Sequence, residues 1–237
     1  MLSQNETKKL PSLSIFFPVF NEGQNIPIIL TEVLSLAPKI AQKYEVLIIN
    51  DGSTDNTNEI IKKYIKSNKN VKLIEHEKNR GYGAALKTGF YNSHFQYITY
   101  MDSDGQFEFS EIFKLLSKIG ENDLVIGRRV RRADNFLRIL NGMLWNLLVH
   151  SLFSIKFKDI DCGFKIMNRK VLDKIPKLKS NGATISVELV MKAKNKGFKI
   201  AQVDLIHKPR KFGKATGGSP LHIFRAFLDL YRLSQNA

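Results

Sequence analysis

Asp102 and Asp104 close the run YITYM and are followed by Gly105 and Gln106, in a chain whose formal net charge is +15. Carboxylates this close repel, so the pairing needs a purpose. A general acid–base pair is one use, but such pairs flank a substrate and rarely adjoin in sequence. Capping the turn and helix that follow is a second. Holding a divalent cation is a third. In an extended segment Asp102 and Asp104 project to one side, and Gln106 extends that side. Hard oxygen ligands suit Mg2+ or Mn2+. Mg2+ takes one or two protein carboxylates and completes its shell with phosphate oxygens and water.

Two other polar clusters stand in comparable places. Asn21-Glu22 follows the apolar run IFFPVF, and Asp51-Gly52-Ser53 follows EVLIIN. The elements that must position them read as an alternation. Short apolar runs of strand type occupy 13–17, 44–49, 71–74, 95–101 and 124–126. Pro18 is expected to end the first. Helices fall between them: from a cap at Asn25, with Pro27 in the first turn, to about Gln42; from Asp55 or Thr57; through AALKTGFYN; and from about Glu111. This pattern gives an α/β fold with a mostly parallel sheet covered by helices on both faces. Ligands bind such sheets at the carboxyl ends of strands, where all three polar clusters fall.

After residue 127 the pattern changes. GRRVRRADNF is strongly basic. Residues 136–155 are long enough to span a bilayer, but Arg138, Asn141, Asn146 and His150 interrupt them. On a helix Leu137, Leu140, Leu144, Leu147 and Ser151 share one face, which reads as an amphipathic surface helix. A strand at 162–168, a helix at 186–196 and a strand at 198–206 follow. A basic, glycine-containing loop then leads to a last amphipathic helix, apolar at Leu221, Phe224, Phe227, Leu228 and Tyr231.

The 237 residues suit one domain, with 1–127 as one half and 128–237 as the other. Lys plus Arg number 37 against 22 for Asp plus Glu, which favours anionic partners: nucleic acid, an anionic membrane surface or phosphorylated small molecules. Nucleic acid is the weaker expectation, because the basic residues lie late and no recognition-helix or stacking-platform motif is present. Cys162 is the only cysteine, so no intrachain disulfide can form, which fits a reducing compartment. The first ten residues carry no apolar stretch of the signal-peptide kind.

Taken together, SIFFPVFNEGQNI, EVLIINDGSTDNT, NRGYGAALKTGF and MDSDGQF, in this order and spacing, resemble family 2 glycosyltransferases of the GT-A fold. DSDGQ, DIDCGFK at 159–165 and HKPRKFGKATG narrow the resemblance to the polyprenol-phosphate sugar transferases, the dolichyl-phosphate mannosyl- and glucosyltransferase group. The resemblance implies that Pro18, Phe20, Glu22, Ile49 and Asp51 line the site of a GDP- or UDP-sugar. It places Asp102, Ser103, Asp104 and Gln106 around Mg2+ or Mn2+ and the diphosphate, with Asp102, Asp104 and Gln106 as metal ligands. Arg128 and Arg210 match family arginines, and with Asp104 they form the expected catalytic set. Phe20 stands where the mannosyltransferases carry Tyr, and Thr216 where the motif carries Lys; Lys214 is the nearest substitute charge.

The implied acceptor is a lipid phosphate. A phosphate monoester is already ionised at neutral pH, so no dedicated general base is expected; for a hydroxyl acceptor, Asp159 or Asp161 is the candidate base. The basic segment and the amphipathic helices suggest peripheral attachment at the cytoplasmic face of a membrane, beside a separate membrane subunit if one exists.

Overall fold

The structure, a computed structural model, describes residues 9–130, 136–213 and 220–235, with side chains described outside 136–141 and 220–225. The first half alternates strand and helix: β1 (Leu10–Val19), α1 (Ile26–Ile40), β2 (Ala41–Asn50), α2 (Thr57–Ser67), β3 (Val71–Glu75), α3 (Tyr82–Asn92), β4 (Tyr97–Met101), α4 (Ile112–Ile119) and β5 (Leu124–Val130). The second half supplies α5 (Phe136–Phe153), β6 (Phe164–Asn168), α6 (Lys170–Lys174), α7 (Ile185–Asn195), β7 (Ile200–Ile206) and α8 (Pro220–Ser234).

The seven strands form one sheet in the order β3-β2-β1-β4-β6-β5-β7. All neighbours run parallel except at β6, which is antiparallel to both β4 and β5. Both halves of the chain therefore share one sheet. Alternation along β1 explains its two-sided burial: Ile15 and Phe17 face one helical layer, while Phe16 faces the other. Phe16 stacks on Tyr100 at 5.4 Å and meets Phe90 edge-on at 5.1 Å. Gly89 lets α3 approach this closely, since a Cβ there would lie 2.2 Å from the Phe16 ring.

Three expectations need correction. Pro18 does not end β1, which continues through Val19, with Pro18 opposite Ile49 of β2. Pairing with β4 stops at Phe16, so one side of β1 carries no ladder beyond it and accommodates a residue without an N–H. The second correction concerns α5. Leu144 and Leu147 are 55% and 64% exposed, while Val149 and Phe153 are buried and Trp145 and Leu148 pack against the core. Asn146 turns inward, its amide oxygen accepting Ile160 N at 3.4 Å. Both faces of α5 are thus apolar, and the leucine stripe faces outward. Among the described side chains of α8 the buried residues are Leu230 and Leu233, whereas Phe227, Leu228 and Tyr231 are exposed. Leu137, Leu140, Leu221 and Phe224 lie among the side chains not described.

Candidate active site

The carboxyl ends of β1, β2, β4, β5 and β7, and the start of β6, lie together at one end of the sheet, where folds of this kind have their ligand crevice. This follows from the sheet order, because β2, β1 and β4 are neighbours and β6 runs in reverse. The three acidic clusters converge there, as their positions in the sequence imply.

Asp102 is the first residue after β4 and is clamped on several sides. Its N–H donates to Gly163 O (2.9 Å), and its Oδ1 accepts the Tyr82 hydroxyl (2.8 Å). A Cβ at Gly163 would lie 1.9 Å from its Oδ2, so the DIDCGFK loop needs glycine to pass this carboxylate. Burial, and then the charge of Asp104, push the Asp102 carboxyl up to about 7. Asp104 is partly exposed; its Oδ1 accepts Gln106 N (3.0 Å) and its Oδ2 lies 4.0 Å from Arg210 Nη1. Ser103 faces the other way and donates to Pro18 O at 2.7 Å, tying β4's end to β1. Gln106 joins the DSDGQ turn to the segment after β7: its side-chain amide donates to Lys208 O (3.1 Å), and its backbone carbonyl accepts Lys208 N (2.8 Å). His207 is buried edge-on to Phe107 at 5.1 Å and helps shape the same join.

That join delivers Arg210. Its guanidinium donates to Glu22 Oε1 and to Phe212 O (2.8 Å). Glu22 also accepts the Asn25 amide at 2.6 Å, and its N–H is held by Thr57 Oγ1 at 3.0 Å. Burial raises the Glu22 carboxyl above its ordinary range, and Asn25 and Arg210 oppose that. Asp51 is buried and well supplied with donors. Its Oδ1 faces His76 Nδ1 (2.6 Å) and accepts Arg80 N (2.9 Å), while its Oδ2 accepts Gly81 N (2.9 Å). Phe20 stands partly exposed between these clusters, whereas Pro18 and Ile49 are buried beneath the crevice. Ile49 belongs to the core and forms floor, with no exposed side-chain surface of its own.

The arginines sort differently from expectation. Arg128 makes a two-pronged pair with Asp204 of β7, both contacts at 2.5 Å. Its register opposite Asp204 commits it there. The next residue, Arg129, points to the opposite face and forks onto Asp159 at 2.8 and 2.7 Å. Arg129 is the one whose charge reaches Asp102 and Asp161. Asp159 is thereby fixed as its counter-charge. Asp161 differs: its carboxylate is buried beside the Trp145 indole N–H, and burial pushes its carboxyl up to about 6. Lys165, fully buried on β6, donates to Tyr100 Oη (2.9 Å), Cys162 O (2.5 Å) and Ser186 Oγ (3.3 Å). Lys214 and Thr216 lie outside the described residues, as do Arg131 and Arg132.

Tyr82, His76 and Lys165 are the members that sequence reasoning missed, and Arg129 was read only as part of the basic GRRVRR run. Strand alternation after VIG gave a signal for Arg129, since adjacent strand residues face opposite ways. Nothing local marks His76.

The donor set fits a hard divalent cation: two carboxylates of one turn, one locked and one partly exposed, with a cation opposite to meet phosphate oxygens. Among the described residues no three His, Cys, Asp or Glu side chains gather as a metal cluster, so protein groups would supply only part of the coordination.

A mostly parallel sheet of this order defines a GT-A type fold. A solved structure supports that assignment: glucosyl-3-phosphoglycerate synthase from Mycobacterium tuberculosis, in complex with Mn2+, uridine diphosphate and phosphoglyceric acid, superposes with a TM-score of 0.75 at 18% identity, covering 94% of this chain and 78% of that one. The family model "Glycosyl transferase family 2" matches residues 14–176; the chain belongs to that family and is a glycosyltransferase. Among curated relatives, the dolichyl-phosphate beta-glucosyltransferase of Saccharomyces cerevisiae is 30% identical over 230 residues, 86% of this chain and 69% of the relative. The dodecaprenyl-phosphate galacturonate synthase of Rhizobium johnstonii is 26% identical over 230 residues, 95% of this chain and 67% of the relative. The chain thus spans about two thirds of the length of these relatives.

Proposed function

We propose that this glycosyltransferase moves a sugar from a GDP- or UDP-sugar to a polyprenyl phosphate at a membrane surface, with Mg2+ or Mn2+ held by Asp102 and Asp104. The observation that carries this reading is Arg210, brought from beyond β7 to within 4.0 Å of Asp104. Metal-ligating acid and phosphate-binding cation then stand side by side, which suits a site that gathers two anions.

The mechanism follows from these groups. Phe20 offers an apolar face to the base, and Asp51 fixes the 80–81 backbone beside it. When bound, the cation neutralises charge developing on the departing nucleoside diphosphate. Arg210 meets phosphate oxygens on the same side. An ionised oxygen of the acceptor phosphate attacks the anomeric carbon, and the carbon–oxygen bond to the diphosphate breaks, its electron pair leaving with the diphosphate. The product has inverted configuration. No side chain need remove a proton from such an acceptor. Gln106 holds the turn in register with Arg210 through Lys208.

A membrane-bound acceptor also suits the exposed apolar face. Met143, Leu144, Leu147 and Leu152 of α5 lie outward, as do Phe227, Leu228 and Tyr231 of α8, and Trp145 meets Phe227 at 5.6 Å between the two helices. Among the described residues no helix is long and apolar enough to cross a membrane. This face is suited to lying on a lipid surface, or against a separate membrane subunit. The cytoplasmic leaflet, with its anionic lipids, suits the charge of +15.

A hydroxyl acceptor is the second reading, favoured by Asp161, whose buried carboxyl is raised toward neutral pH and is held by no cation fork such as the one on Asp159. The experiment is transfer of radiolabelled sugar from a panel of nucleotide sugars to a short polyprenyl phosphate, with and without Mn2+ or Mg2+, beside Asp104→Ala. Metal-dependent product lost in the variant supports the first reading. Donor hydrolysis without transfer points to a hydroxyl acceptor or a missing partner.

A further inference from the structure

The geometry points to Tyr82 as a positioning residue for the metal site: its hydroxyl holds Asp102 Oδ1, so that the remaining lone pairs of that carboxylate are presented to a divalent cation. This rests on the reading of Asp102 and Asp104 as metal ligands. It goes beyond that reading by assigning a task to a residue outside the acidic turn.

Tyr82 opens α3, and its placement is set from both sides. The preceding residue, Gly81, donates its N–H to Asp51 Oδ2 at 2.9 Å, and Arg80 N donates to Asp51 Oδ1 at 2.9 Å. The following residue, Gly83, donates to Asn181 O at 2.8 Å. The fit at Gly83 is close: a Cβ there would lie 2.5 Å from the Asn181 carbonyl carbon. The 179–181 segment is itself fixed. Glu188 of α7 accepts Lys179 N (2.9 Å) and Ser180 N (2.8 Å), and Lys87 of α3 donates to Lys179 O (3.0 Å) and Asn181 Oδ1 (2.6 Å). Two buried acids, Asp51 and Glu188, therefore anchor the segments on either side of one tyrosine.

The hydroxyl so placed meets the one carboxylate of the pair that cannot swing. Gly163 closes Oδ2's flank, and the backbone of Asp102 is pinned to Gly163 O. A carboxylate left to rotate would offer a cation many geometries of similar energy. With one oxygen held by an O–H donor, its orientation is decided before the cation arrives. Hydrogen bonds to ligating carboxylates are worth about 10- to 100-fold in metal affinity. Tyr82 does not touch the cation in this arrangement; it acts through Asp102.

The test measures Mn2+ binding directly, by the electron paramagnetic resonance signal of free Mn2+, with UDP and separately with GDP present. Wild type, Tyr82→Phe and Lys87→Ala are compared, each with its melting temperature, and titrated well below it. Tyr82→Phe keeps the ring and removes only the hydroxyl. Lys87→Ala loosens the tie between α3 and residue 181 but leaves the hydroxyl in place. The expected result is Mn2+ affinity about 10- to 100-fold weaker in Tyr82→Phe and within twofold of wild type in Lys87→Ala. Equal affinity in Tyr82→Phe overturns the inference. So does equal weakening in both variants, which makes Tyr82 part of the scaffold only. A wild type that retains no Mn2+ with either nucleotide removes the metal-site reading itself, and this inference with it.

Discussion

Arg210 and Glu22, 188 residues apart in the chain, are joined as an ion pair across the mouth of the crevice. Glu22 comes from the turn after β1 and Arg210 from the segment after β7, so the pair spans from a central strand to the sheet edge. With Asp104 at 4.0 Å, the guanidinium has two carboxylates for neighbours and is held where diphosphate oxygens are expected.

Replacing Arg210 with Ala should lower kcat for sugar transfer about 100- to 1,000-fold, the usual effect of deleting one preorganised charge donor. Arg210→Lys should recover little, because an ammonium cannot reproduce the fork between Glu22 and Phe212 O. Steady-state kinetics at saturating donor checks both, and unchanged kcat in Arg210→Ala would remove Arg210 from the mechanism.

Arg129 forks onto Asp159, in the loop before β6, and is largely enclosed. Asp159→Ala leaves that guanidinium buried without its partner and should cost about 3–5 kcal/mol. Urea unfolding monitored by circular dichroism measures it. A loss below 1 kcal/mol would show that Arg129 finds solvent.

Asp161 gives a pH dependence of defined sign. Its carboxyl is raised from the ordinary 3.8 to about 6, so the folded state binds this proton more tightly than the unfolded chain does. The group therefore subtracts stability as pH climbs from about 4 to about 6, by up to about 3 kcal/mol above that window. Asp161→Asn should melt several degrees above wild type at pH 7.5, with the gap closing toward pH 4. Calorimetry across that range checks it; a gap independent of pH would contradict the assignment.

The outward leucines of α5 predict a surface phenotype. Leu144→Gln with Leu147→Gln should weaken flotation on phosphatidylglycerol–phosphatidylcholine vesicles at least about tenfold, with the melting temperature little changed, since both side chains are more than half exposed. Unchanged flotation would move the membrane face elsewhere.

Much of the fold was legible because it is local. Apolar runs such as EVLIIN announce themselves, as do the helix starts near Asn25 and Asp55, although Asn25 makes no side-chain cap and gives its amide to Glu22 instead; parallel topology then brings Glu22, Asp51 and Asp102 to one end. What could not be read depends on contacts far apart in the chain. Pro18 sits inside β1 because β4 is short, which the residues around Pro18 do not encode. Arg128, expected at the site, is held by Asp204, while Arg129 turns to Asp159 on the opposite face. The inward turn of Asn146 depends on Ile160 N, and the task of Tyr82 on Asp102 twenty residues later. Periodicity marks an apolar stripe, but not whether core or surroundings receive it.

The reversed strand β6 has a consequence for how the chain comes together. β5 pairs only with β6 and β7, both of which follow it in sequence, and β4 meets β6 on the side away from β1. As the polypeptide leaves the ribosome, β5 has no strand to join until residues 164–168 have emerged. Residues 1–127 therefore carry the three acidic loops without making an independent folding unit. Severed there, β4 would keep an open edge and β5 would be an orphan, an invitation to pair with other chains. The two halves, distinct along the sequence, are interleaved in space and assemble as one.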